Sequence, residues 1–414
     1  MSATPSILLI SNFPPPFGGV SNQAKKIAEQ ASIDLGMVVH VLDLVKLRLF
    51  TFHGGNWQSR AVKAWPAVLS ALIRLPWAVL RPPRALSGAG LLSFDRYLPW
   101  RLALVLVSLA AQRLMPRQPE LVYAFHIGAP SLVGGLIAAR LDIPHLKATF
   151  GEPSTNREKL QRQQQLLLAA AGTTSYHPCS LHCARLLTDL FPQVRPHVLY
   201  YGSDLRTLSQ ATTGKHELRR QAKRPLNILF VGRFVDEMGV RYFLEFSALA
   251  EHVHPGRFTF SMCGQKGEMS PLIVKEAAER GGKLQVAESA PMEVRNALLA
   301  GADVLVVPSV NERACFGLAV TEGLASRCFV LARDIGGHAE AALDMRDFLF
   351  ERDLEPSQLV QRLTEIEEGL RSGTLDEKLD HASWSVTERF DIETCLARQI
   401  EVIRRALMPP ACEP

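Results

Sequence analysis

Two stretches of this 414-residue chain bring together groups that can hold a polyanion. The first, residues 227–240 (NILFVGRFVDEMGV), places the guanidinium of Arg233 just past a charge-free aliphatic run. The second, residues 304–322 (VLVVPSVNERACFGLAVTE), leads from a similar run into a loop and then a helical segment. It offers the backbone N–H groups of Phe316, Gly317 and Leu318 and the carboxylate of Glu322. A forked cation, helix-start amides and a carboxylate suit a nucleoside diphosphate. The first two hold phosphate oxygens and the last takes ribose hydroxyls. The bland alternatives are a surface ion pair for Arg233 and an ordinary solvated helix carboxylate for Glu322.

Such groups need strands to carry them. Both runs read as fully buried parallel strands, and open α/β sheets bind ligands at the carboxyl ends of such strands. Residues 6–11, 38–42, 121–125, 144–150, 173–176 and 197–200 read as strands in the N-terminal half, with a helix over 20–35. Residues 226–231, 258–263, 283–286, 304–307 and 329–331 restart the pattern. Alternation of this kind marks doubly wound sheets, and the length suits two domains. The expected division is an N-terminal domain over 1–204, a polar linker over 205–224, a second domain over 225–385, and a final helix and tail over 386–414.

Read together, these pieces resemble the family-4 glycosyltransferases of the GT-B fold, retaining enzymes that use nucleotide sugars. Phe230-Val231-Gly232-Arg233 through Met238-Gly239-Val240 is similar to the family's G-R…K-G segment. Pro308-Ser309, Phe316-Gly317-Leu318 and Glu322-Gly323-Leu324-Ala325 resemble its P-S…F-G-L…E-A-x-A segment. Asp334-Ile335-Gly336-Gly337-His338-Ala339-Glu340 resembles D-x-G-G-x-x-E, and Gly18-Gly19-Val20 resembles the glycine loop after the first strand. Tyr201-Gly202-Ser203-Asp204 is similar to the segment ending the first domain.

The resemblance implies an α/β GT-B architecture: two Rossmann-like doubly wound domains facing a cleft, with the C-terminal helix crossing back to the first. It implies donor contacts from Gly18, Gly19, Arg233, Gly264, Phe316, Gly317, Leu318 and Glu322, and a strand-end His126 near the donor sugar. It further implies same-face attack assisted by the leaving phosphate, with no metal and no separate cofactor. The implied partners are a nucleotide sugar donor and a glycan or lipid-linked acceptor. By itself, a lone strand-end histidine such as His126 is more often a packed, hydrogen-bonded residue.

Two departures stand out. Met238 occupies the position of the family's second phosphate-neutralising lysine, and Ala314 that of a partner glutamate. Either 311–315 is a local insertion returning Glu312 to the sugar and Arg313 as the missing cation, or donor chemistry is weakened. Thr149-Phe150-Gly151-Glu152 stands where a T-x-H context is expected, leaving Glu152 as the polar group there.

Composition narrows the alternatives. A net charge of +5 is too weak for nucleic acid, though compatible with acidic small molecules. The seven cysteines contain no C-x-x-C pair and read as buried hydrophobes of a reducing cytoplasm. His177, Cys179, His182 and Cys183 have metal-like composition but no second ligand pair at zinc-site spacing. No signal peptide and no spanning run is present. Residues 57–115, rich in Leu, Val, Trp and Arg and cut by prolines into expected short helices, either pack on the first sheet or dock on the inner membrane surface. A nucleotide-sugar 2-epimerase and a catalytically dead nucleotide-binding scaffold are the rival functions.

Overall fold

The structure, a computed structural model, describes residues 5–12, 19–62, 70–75, 98–115, 117–163, 168, 174–221 and 224–408. The chain divides into two compact units, one of residues 1–201 with 396–414 and one of residues 202–395.

In the first unit, β1 (Ser6–Ile10), β2 (Val38–Asp43), β5 (Leu121–Phe125), β6 (His145–Thr149) and β7 (Thr174–Pro178) pair in parallel. The sequences SILLI and LVYAF carry no charge because both faces of their strands are buried. Strands β3 (Arg48–His53) and β4 (Asn56–Ala61) extend the sheet antiparallel, giving the order β4-β3-β2-β1-β5-β6-β7. Gly54 and Gly55 join them with positive φ at both, as a two-residue hairpin requires. Trp57 therefore lies on a strand beside Phe50 and Phe52, where the sequence suggested the start of a helical segment.

Within 57–115, the helix Leu98–Leu114 buries Leu104, Val105, Leu109, Ala110 and Ala111 in the core of this unit. Pro99 does not cut it, because a proline in the first turn loses no intrahelical bond. This helix thus packs into the core of the first unit, while residues 63–69 and 76–97 of the stretch lie outside the described residues. Among the described residues no helix is long and apolar enough to cross a membrane. Residues 197–200 are not a strand. Pro196 lacks an N–H, so pairing with β7 reduces to one bridge and the amides of His197 and Leu199 bonding Tyr176 and Pro178.

The second unit holds one all-parallel sheet, β10-β9-β8-β11-β12-β13. Its strands are β8 (Leu226–Val231), β9 (Phe258–Gly264), β10 (Leu284–Glu288), β11 (Val304–Val307), β12 (Phe329–Arg333) and β13 (Leu349–Phe350). Strand order reverses between β8 and β11, as it does between β1 and β5 in the first unit. Each reversal leaves a crevice at the strand carboxyl ends.

The expected linker is corrected by the structure. Residues 205–221 form the helices Leu205–Ala211 and Lys215–Gln221, which pack into the second unit. The basic residues read as solvated are anchors. Lys215 donates to the Ser326 carbonyl at 2.7 Å, and the fully buried Arg219 donates to Asp303 at 3.0 Å. Asp303 also accepts from Arg224 and from the Asn227 amide. The expected final helix over 386–407 is two helices, Asp376–Phe390 and Ile392–Leu407. They break at Asp391, whose carboxylate accepts the N–H groups of Arg206 and Glu393.

Burial opposes the Asp303 charge, but its bonds to Arg224 and Asn227, and the charge of Arg219, hold its carboxyl below the usual range. A depressed carboxylate contributes stability above its unfolded-state value and loses it as pH falls through the lower folded value. Asp303→Asn should therefore cost about 3–5 kcal/mol at neutral pH by leaving Arg219 buried without its charge partner. Urea unfolding at neutral and acidic pH checks this: the gap from the parent should narrow in acid.

Candidate active site

The loops after β8 and β11 flank the reversal of the second sheet. After β8 come Gly232 and Arg233, then a tight turn over Asp236–Met238. After β11 the chain runs from Pro308 to Gly317. Two contacts lock these loops together. The Val310 amide donates to the Glu237 carbonyl at 3.0 Å. A Cβ on Gly239, whose φ is +77°, would stand 2.0 Å from the Pro308 carbonyl oxygen, so only glycine permits the approach.

Arg233 and Arg313 meet in this setting. Arg233 Nη2 lies 2.5 Å from Glu237 Oε1, and Arg313 Nη1 lies 2.8 Å from Glu237 Oε2. A turn in which the Asn311 side chain accepts the Arg313 amide at 2.9 Å shapes the second loop. Both arginine side chains are 55% exposed and open to a ligand. Burial works against the Glu237 charge, but the hydrogen bonds of Arg313 and Arg233 outweigh it and hold the carboxyl below its ordinary range. The side-chain methyl of Met238 lies against Gly232.

Beside them, Gly264 ends β9. A Cβ there would fall 1.7 Å from the Gly232 carbonyl oxygen, so these strand ends close together only because Gly264 has no side chain. The helix Leu318–Ala325 starts from Gly317, in the left-handed region at φ +102° and pressed against the His338 ring. His338 Nδ1 lies 2.9 Å from the Arg333 carbonyl, and Gly337 donates to Ala314 at 2.7 Å, so the 334–340 segment braces the 314–317 loop. Phe316 packs edge-on against Phe390.

Glu322 is not the solvated helix carboxylate of the bland reading. It is 6% exposed and pairs with Arg295 of the helix Met292–Gly301. Burial disfavours the Arg295 charge, yet the Glu322 charge and hydrogen bond raise its affinity for the proton above the ordinary arginine value. Arg295 and Glu237 escaped the sequence reading. Glu237 sits inside the recognised motif, whereas Arg295 follows no pattern that marks it.

The other expected residues separate. Glu312 pairs with Arg352 while its neighbour Arg313 reaches Glu237. In the first unit, Gly19 opens the helix Gly19–Asp34, and Gly18 lies outside the described residues. His126 follows β5 with φ +83°, a strained conformation for a residue with a side chain. Its Nδ1 contacts Glu152 Oε1, while Glu152 Oε2 accepts the Phe150 amide at 2.7 Å. His177, Cys179, His182 and Cys183 form no joint ligand set: His177 Nε2 meets Ser175, and the two sulfurs lie 3.7 Å apart. Among the described residues no group of three or more His, Cys, Asp or Glu is placed to hold a metal.

Residues 225–368 match the family model described as glycosyl transferases group 1. A glycosyltransferase from Rickettsia africae has the same fold at TM-score 0.65 and 15% identity, covering 98% of this chain and 99% of that one. A trehalose 6-phosphate synthase from Burkholderia multivorans superposes at TM-score 0.66 and 13% identity, covering 98% and 100%. Anabaena HepE in complex with UDP and glucose does so at TM-score 0.62 and 14% identity, covering 97% and 99%. No curated relative matches the chain. The fold is GT-B, with two Rossmann-like α/β domains. The family-model match falls within the second unit, and the neighbours share the fold along nearly the whole chain.

Gly264→Ala should destabilise the second unit by about 1–3 kcal/mol, the scale of forced overpacking, because its neighbour is backbone and cannot rotate aside. Thermal denaturation followed by circular dichroism measures it; an unchanged midpoint would mean that the β8 and β9 ends part without cost.

Proposed function

We propose that this protein moves a sugar from a nucleotide diphosphate sugar to an acceptor hydroxyl with retention at the anomeric carbon. The observation that carries the proposal is the convergence of Arg233 and Arg313 at the reversal of the second sheet, within the stretch matching the glycosyltransferase model. As the glycosidic bond breaks, negative charge accumulates on the departing diphosphate. Cations fixed in advance stabilise that charge more than the ground state and so lower the barrier.

In this reading Arg233 and Arg313 hold the diphosphate, and the amides of Phe316, Gly317 and Leu318 face the same anion. Gly264 and the Gly18-Gly19 loop give the donor close approach to backbone. Glu322 takes the ribose hydroxyls, with Arg295 fixing its orientation. His126, held by Glu152, is assigned to the sugar. The arginine pair supplies the charge that Met238 cannot. Glu312 is left out, because its carboxylate is engaged by Arg352. The leaving phosphate assists same-face attack, and the acceptor is a glycan or lipid-linked hydroxyl.

Thermal stabilisation by a panel of UDP-, GDP- and ADP-sugars identifies the donor, since a ligand of the native state raises stability by mass action. UDP is the first to try, because it is bound in HepE. Arg233→Ala should weaken nucleoside diphosphate binding by about 2–4 kcal/mol, and Arg313→Ala should lower turnover far more than stability. Calorimetry and transfer assays read these effects. Nucleotide binding without turnover in the parent, with activity gained on Met238→Lys, would instead identify a scaffold.

A further inference from the structure

Glu237 stands where a ligand anion would stand. Each of its two oxygens meets a different arginine, one from the loop after β8 and one from the loop after β11. A carboxylate bridging two guanidinium forks copies the way a phosphate group is held. Its side chain is only 21% exposed, and its backbone carbonyl is tied to Val310. The cations are therefore already neutralised before any ligand arrives.

We propose that Glu237 is an internal competitor that makes the arginine pair selective for diphosphates over single phosphate groups, a proposal that rests on the donor-site reading above. A ligand with one phosphate exchanges one bridging anion for another and gains little, because each arginine merely changes partner. It also leaves the displaced carboxylate beside a new negative charge, which disfavours both. A diphosphate carries enough oxygens to engage both forks separately and to reach the Phe316–Leu318 amides as well. Its surplus contacts exceed those that Glu237 gives up. Removing the carboxylate should therefore help the single phosphate more than the diphosphate. The contrary possibility is that Glu237 only holds two mutually repelling side chains in place. In that case its removal should weaken both ligands, since each arginine would regain its rotamer freedom.

The test uses the whole protein with inorganic phosphate and inorganic pyrophosphate as probes, titrated calorimetrically into the parent, Glu237→Gln and Glu237→Asp. Circular dichroism melts confirm that each variant is folded. Glu237→Gln should bind phosphate about three- to tenfold more tightly, the scale of losing one competing charge pair, with a smaller change for pyrophosphate. The preference for pyrophosphate should shrink accordingly. Glu237→Asp, too short to bridge both arginines, should fall between the two. Equal changes for both probes, weaker binding of both, or no binding of either to any of the three proteins would overturn the proposal. The expected pattern without any turnover of nucleotide sugars would leave Glu237 in this role and strike only at the transferase reading.

Discussion

Gly264 and Gly232 approach until a methyl carbon on Gly264 would sit 1.7 Å from the Gly232 carbonyl oxygen, and one on Gly239 would sit 2.0 Å from that of Pro308. These two contacts fix the distance between the ends of β8, β9 and β11, and therefore the distance between the loops they release. Arg233 leaves β8 and Arg313 leaves β11, so their meeting at one carboxylate is a consequence of backbone spacing. Side-chain attraction could not achieve this alone, because exposed ion pairs contribute little and two arginines repel. The strand ends position the chemistry, and the charges only complete it.

Burial decides how each charge in the second unit behaves. Glu237 is bridged at a partly open surface, where a ligand can replace it. Glu322 lies deeper, where parting it from Arg295 would strand its charge away from water, so the pair acts as a fixed polar wall. Asp303 is deeper still, just before the amino-terminal end of β11, and ties two arginines to the opposite end of the same strands. One strand thus carries a structural charge cluster at its start and leads to an exchangeable one past its end. This polarity is what an open α/β sheet provides.

The parts legible in sequence are those where one physical demand dominates. Strands β1, β5, β8 and β11 were visible because burial on both faces excludes charge from them. Glycines 239 and 317 lay in recognisable motifs because no other residue meets their steric demands. Residues 205–224 misled because Lys215 and Arg219 look solvated until a tertiary partner is known. The break at Asp391 was hidden by helical periodicity on both sides, and the β3–β4 hairpin by the apolar segment that follows it. Arg295 was illegible for the same reason as Arg219: its meaning depends on a carboxylate distant in sequence.

Met238 shows how such a site can change while its charge is kept. A lysine at that position would rise from the tight turn that also carries Glu237, on the β8 side. Here the methionine methyl covers Gly232, and the second cation arrives from the β11 side as Arg313. Two positive charges, Arg233 and Arg313, meet at Glu237, and their support differs from that of a lysine in the turn. Arg313 depends on the Asn311 turn and on the Gly337–Ala314 hydrogen bond that braces it. The geometry of the 311–315 loop therefore sets where the Arg313 guanidinium lies. It also explains how a chain can lack the expected lysine and still present two convergent cations at the reversal of its sheet.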